Sequence, residues 1–404
     1  MDLLRECHKE LDGKKAAGVD KAAKAEYEAD LDENLKDLAD RLKQKNCKPQ
    51  PPLRAYIPKA NGKQRPLGMG ACEGRLAQPA LKRVLEAVYE PKFRGHMFGF
   101  RPGIGCHDAL KELNRPFEKG NANYAVGADI KGFFNNMERE RMLELIKFRI
   151  TDPSILWLAE KTPAAGIMEN GSRHAATKGP EQGNPASPAV ASICMHYALA
   201  QWFGIAFKKQ CRGECGLALC AGDFAAAFQY KGDAYYFPPA SAERFALFGL
   251  EPGQAKTRLA EFGKYAGKNR KTRGRKKPET FDFLGSARCC SKSRVGRFRA
   301  ERKTARKKFQ LKLKELNLRL KQNRRLRLKD LFGAINLKLK GRCQYCGTAG
   351  NYESLSDYPH YVKAMLYKWL NRRSEKKSCA WEGFQELLKA FPLARPHIYC
   401  NIYS

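Results

Sequence analysis

Leu217-Ala218-Leu219-Cys220-Ala221-Gly222-Asp223-Phe224-Ala225-Ala226-Ala227-Phe228-Gln229-Tyr230 reads as strand, tight turn, strand, and the rest of the chain is organised around it. Apolar residues run up to Cys220, and Phe224, Ala226, Phe228 and Tyr230 then alternate on the way back. A period of two marks a strand with one face turned inward. Gly222 is expected to supply the backbone freedom of a two-residue hairpin turn. Asp223 stands at that turn, where a Gly-Asp pair is ordinary loop chemistry and one carboxylate says little about function.

A second acid lies upstream in Tyr124-Ala125-Val126-Gly127-Ala128-Asp129-Ile130-Lys131-Gly132-Phe133-Phe134-Asn135-Asn136-Met137, where an apolar strand ends in Asp129. With both stretches in view, the sequence resembles the reverse transcriptases encoded by group II introns. Their palm carries one metal-binding Asp in an Asp-Ile-Lys-Gly-Phe-Phe stretch and another in a Tyr-Ala-Asp-Asp hairpin. The resemblance extends through Gly18-Val19-Asp20, Tyr56-Ile57-Pro58-Lys59, Gly99-Phe100-Arg101-Pro102-Gly103 and Lys256-Thr257-Arg258 to Phe391-Pro392-Leu393-Ala394-Arg395-Pro396. It implies an α+β right-hand polymerase fold: reverse transcriptase fingers and palm over residues 1–290, then a basic α-helical thumb, also called the maturase or X domain, over 291–404. No endonuclease domain is expected. The hairpin departs from the family at Gly222, which stands where the first of its two acids would be.

The formal net charge of +34, from 76 Lys and Arg against 42 Asp and Glu, points to a polyanionic partner, and nucleic acid is the economical one. With 43% hydrophobic residues the chain can build real cores, so disorder is excluded. No apolar run approaches the roughly 18 to 20 residues of a spanning helix, and no secretory signal is evident. The expected home is a bacterial cytoplasm, with an organelle as the alternative. The 14 cysteines do not suggest a disulfide scaffold. Cys343 and Cys346 form a C-x-x-C, and Cys211 and Cys215 lie four apart, but no His spacing completes a zinc set.

In chain order, Leu31, Leu35, Leu38 and Leu42 recur at helical spacing, and Pro49, Pro51 and Pro52 then stop the helix. Arg54 to Lys59 starts a strand, Asn61-Gly62 signals a turn, and Lys63 to Gly68 returns. The resemblance implies that this basic hairpin closes over an incoming deoxynucleoside triphosphate through Lys59, Lys63 and Arg65, cations suited to phosphate oxygens. It also implies nucleotide contacts from Phe134, an aromatic beneath the sugar, from Gln182 in the Lys178 to Pro185 loop, and from Lys256. Glu181 occupies the position of a family proline in that loop. Gly267 to Lys277 reads as a mobile basic loop. Beyond it Phe309, Leu313, Leu316 and Leu320 make an apolar seam in a basic helix suited to a phosphate backbone. Arg101, Lys307, Lys308, Lys312, Arg319, Arg324 and Arg325 are the candidate RNA contacts.

The function implied is a group II intron reverse transcriptase/maturase, acting as monomer or homodimer on structured intron RNA and on an RNA template with a DNA primer. Its catalytic and metal-binding acids would be Asp129 and Asp223, with Mg2+ as cofactor. Phosphoryl transfer of this kind uses two divalent ions whose charge must be balanced by carboxylates. With Gly222 in place of the third acid, weak or absent polymerisation is expected. The alternative reading is a non-catalytic RNA-binding maturase, which needs phosphate and shape contacts but no palm metals.

Overall fold

The computed structural model describes the chain apart from residues 14–15, 59–63, 176–182, 254–256, 276, 374–378 and 404. Its strands are β1 (Leu53–Pro58), β2 (Gln64–Met69), β3 (Tyr124–Asp129), β4 (Ile167–Glu169), β5 (Ser172–His174), β6 (Cys215–Cys220), β7 (Asp223–Phe228), β8 (Arg258–Glu261), β9 (Phe281–Phe283), β10 (Ser286–Lys292) and β11 (Phe298–Lys303). They form three sheets, in the orders β2-β1-β4-β5, β6-β7-β3-β8 and β11-β10-β9. Helices cover the sheets, and four more, Arg306–Gln322, Leu328–Cys346, Tyr352–Leu370 and Trp381–Ala390, follow the last strand. The mixed α+β expectation holds.

The central sheet is buried on both faces. Phe224, Ala226 and Phe228 of β7 join a core with the helix Ser187–Met195, while Ala225 and Ala227, on the opposite face, pack in a second core with Leu110, Leu113 and Phe117 of the helix Cys106–Glu118. Alanine on that second face leaves room for the helix to sit close to the strands, which explains the Ala-rich sequence. The turn itself differs from expectation. Ala221, with φ 57°, takes the left-handed position, and Gly222 is not among the residues of positive φ. A positive φ at the first central residue fits a type II′ hairpin.

The helix that opens at Ser187 continues to Gln210 and is π-helical over His196–Ala200 and Phe203–Phe207. At 24 residues it is long and apolar enough to cross a membrane, which corrects the expectation that no run approaches that length. Since 67% of its apolar window is buried inside the fold, it is accounted for as a core helix.

The leucine-rich helix near the N-terminus is Leu31–Lys43, with Leu35 and Leu38 fully buried. The basic stretch after Lys264 is not simply a loop. Ala266–Thr272 is helical, and Arg270 lies 2.9 Å from Glu279 and 3.8 Å from Glu261, with Arg273 on the same Glu261. The acids that fasten this segment lie outside it, which is why its own composition hid them. The C-terminal helices enclose a separate core of Leu316, Leu320, Phe332, Leu366, Trp369 and Phe384.

Candidate functional site

The two acids meet through strand register. β3 and β7 run antiparallel with Asp129 directly opposite Asp223, and β6 pairs Cys220 with Asp223 across the turn. Directly opposed residues in an antiparallel pair have Cβ atoms about 4.5–5.5 Å apart, so both carboxylates belong to one site. Backbone bonds fix the ends. The Ile130 N–H donates to the Gly222 carbonyl at 2.9 Å, and the Gly253 N–H donates to the Asp129 carbonyl at 2.6 Å.

A third layer holds Asp223. Leu284 and Gly285 form the left-handed turn between β9 and β10, with φ 48° and 69°, and the Leu284 N–H donates to Asp223 Oδ2 at 2.9 Å. From the other side, the Tyr345 hydroxyl, on the helix Leu328–Cys346, donates to the Leu284 carbonyl at 2.8 Å. Buried Arg302 on β11 donates to the Tyr345 carbonyl at 2.9 Å, and a His107 ring nitrogen lies 3.2 Å from the same oxygen. One short turn therefore links the acid at the hairpin to the C-terminal helices. The sequence pattern does not show this linkage, because the partners of the Leu284 turn lie 61 residues away on both sides.

Gly222 faces Phe133. A Cβ added at Gly222 would lie 3.4 Å from Phe133 Cβ, ordinary van der Waals contact, so the backbone there admits a Cβ beside the acid pair. Among the described residues no cluster of three or more His, Cys, Asp or Glu side chains gathers to hold a metal ion. Two carboxylates suit a single hydrated Mg2+, which keeps several waters and takes one or two protein carboxylates.

The other candidates divide. Arg65 is exposed on β2, opposite Ile57. Phe134 is half-buried, with its ring centroid 5.3 Å from Phe133 and 6.0 Å from Phe100. Lys59, Lys63, Glu181, Gln182 and Lys256 lie outside the described residues. Following Gln182, Gly183, with φ 112°, lies against the Gly68 backbone of β2; a Cβ there would be 2.7 Å from the Gly68 carbonyl. A cavity of about 410 Å3 lies beside this contact, lined in part by Asp12, Arg75, Gln78 and Asn184.

Among the RNA candidates, Lys307, Lys308, Lys312, Arg319 and Arg325 are exposed and Arg324 is half-buried. Lys312 pairs with Glu315 at 2.8 Å. Arg101 needs correction. Its side chain is 12% exposed, ion-paired with Glu90 at 2.6 Å and bonded to the Arg94 and Met97 carbonyls, so its guanidinium is used within the fold.

Comparison with known proteins agrees with this architecture. Residues 57–287 match the family model described as reverse transcriptase (RNA-dependent DNA polymerase). The chain is 39% identical over 166 residues to the group II intron-encoded protein LtrA of Lactococcus lactis subsp. cremoris, a stretch that is 41% of this chain and 27% of LtrA. It is 30% identical over 187 residues to protein YkfC of Escherichia coli, covering 46% of this chain and 49% of YkfC. Similarity to the mitochondrial nuclear intron maturase 2 of Arabidopsis thaliana is 28% over 94 residues, covering 20% of this chain and 13% of that protein. The matched stretches therefore span half or less of these relatives.

Proposed function

The chain belongs to the reverse transcriptase family, with group II intron-encoded proteins among its relatives, and from that premise we propose that it is an intron reverse transcriptase/maturase whose polymerase chemistry is impaired. The observation that carries this reading is the asymmetry of the hairpin: Asp129 stands opposite Asp223, while the adjoining position is Gly222. Losing a group that merely supports a metal ligand typically weakens a site about 10- to 100-fold, and losing a ligand should cost at least as much. Binding of structured intron RNA needs no such ion. The net charge of +34 and the exposed cations along Arg306–Gln322 supply phosphate contacts.

On this reading residues 1–290 act as fingers and palm, and 291–404 act as the RNA-gripping thumb. Mg2+ would be held by Asp129 and Asp223, and Arg65 would meet a triphosphate if one binds. The second reading, a working RNA-directed DNA polymerase, is favoured by the in-register acid pair. It would add a primed RNA template and deoxynucleoside triphosphates as substrates. Bacteria and mitochondria are both represented among the relatives, and either is a plausible setting for the chain.

The maturase activity is tested by splicing of a group II intron transcript at low Mg2+ with and without the protein, alongside RNA binding over a range of salt. The reading expects tight, salt-sensitive binding and faster splicing. Binding no tighter than to an unstructured RNA of equal length, with no effect on splicing, would overturn it.

A further inference from the structure

The site contains a pair of close thiols that neither polymerisation nor RNA binding uses. Cys106 is the first residue of the helix Cys106–Glu118, and Cys220 is the last residue of β6, directly before the Ala221-Gly222 turn. Their sulfurs are 3.8 Å apart, 114 residues distant in sequence, and both side chains are only partly buried. We propose that Cys106 and Cys220 are a peroxide-oxidisable dithiol, a modification site whose disulfide ties the helix to the hairpin bearing Asp223.

The geometry pairs the two thiols: their sulfurs lie within hydrogen-bond distance of each other, and that contact, with help from Arg302 and against burial, lowers Cys106 to about 7. By contrast, Cys194 is pushed up to about 12 by burial alone. A thiolate that is partly exposed at neutral pH is what oxidants attack.

The chemistry balances with a hydroperoxide as co-reactant. The Cys106 thiolate attacks one peroxide oxygen; an S–O bond forms, the O–O bond breaks, and the departing oxygen leaves as water or alcohol after taking a proton. The Cys220 sulfur then attacks the Cys106 sulfenic sulfur, forming S–S, breaking S–O and releasing water with the Cys220 proton. Two thiols and one hydroperoxide give one disulfide, one alcohol or water, and one water. Because Cys220 faces Asp223 in the strand register, the bond would fix the hairpin's entry into the acid pair.

The test uses the full chain, fully reduced, treated with hydrogen peroxide, then alkylated and digested without reductant for mass spectrometry. The expected product is a peptide joining Cys106 to Cys220, two hydrogens lighter than the separate peptides and reversed by dithiothreitol. It should disappear in Cys106→Ser and in Cys220→Ser and persist in Cys211→Ser. In the untreated chain, Cys106 should be alkylated at pH 7 about tenfold or more faster than Cys194. Recovery of Cys106 and Cys220 both singly alkylated after peroxide would overturn the proposal. So would a Cys106 sulfenic acid trapped by dimedone with no link to Cys220, or a link that forms only in denaturant.

Discussion

At the level of single residues, the hairpin divides its labour between Ala221 and Gly222. Ala221 carries the left-handed φ and Gly222 carries the missing side chain. A non-glycine residue in the left-handed region is strained by roughly 1–2 kcal/mol, offset in part by the entropy a glycine would lose on folding. Ala221→Gly is therefore expected to raise stability by up to about 1 kcal/mol, read as a higher urea midpoint at unchanged slope; a lower midpoint would refute the turn assignment. From sequence, glycine was the natural bearer of that φ, because the residue type speaks before the register does. Asp129 and Asp223 were legible as acids at strand ends, but their facing each other is a non-local fact fixed by β3–β7 pairing. Arg101 misled because an arginine in a loop reads as exposed, whereas Glu90, 11 residues before it, draws it inward.

Among the elements, the helix running from Ser187 to Gln210 lies in the main core, and His196 on it and His96 against it set an acid limit on the fold. His196 is 5% exposed, and burial, reinforced by Arg94 and Arg149, pushes it down to about 4; His96, whose Nε2 lies 3.0 Å from the Ala200 carbonyl, is likewise pushed down to about 4 by burial. The unfolded chain binds those protons near its ordinary imidazole pKa of about 6.5. Stability from the neutral rings is thus fully present above about 6.5 and is lost as pH falls towards 4. Urea midpoints should fall between pH 7 and pH 5, with His196 alone contributing a loss on the order of 2 kcal/mol. His196→Gln should flatten that fall; an unchanged pH profile would contradict the burial argument. The length of this helix is hard to read from sequence because His196, Gln201 and Gly204 interrupt the apolar run. By contrast, the proline break and the Asn61-Gly62 turn signal located β1 and β2, alternation located β7, and the seam from Phe309 to Leu320 falls inside the helix Arg306–Gln322.

For the whole molecule, charge and connectivity decide the behaviour. The basic exterior of Arg306–Gln322 belongs to a body with its own core, yet the Tyr345, Leu284 and Asp223 relay joins that body to the acid pair. Nothing in the sequence marks this relay, since each link pairs residues from separate motifs. If the helix follows a phosphate backbone, replacing Lys307, Lys308 and Lys312 with Glu should weaken RNA binding and lower the slope of log affinity against log salt by at least about 0.7–0.9 per lost contact. Equal slopes would place the RNA elsewhere on the surface. The proposed polymerase chemistry is a separate matter, and on the reading proposed above it turns on Gly222. Mg2+-dependent primer extension on an RNA template, comparing the native chain with Gly222→Asp, tests it directly. A Cβ at Gly222 makes only ordinary contact with Phe133, so the substituted chain should fold and extend the primer at least about tenfold faster than the native one. Equal extension by the two proteins would contradict the claim that Gly222 is what impairs the palm.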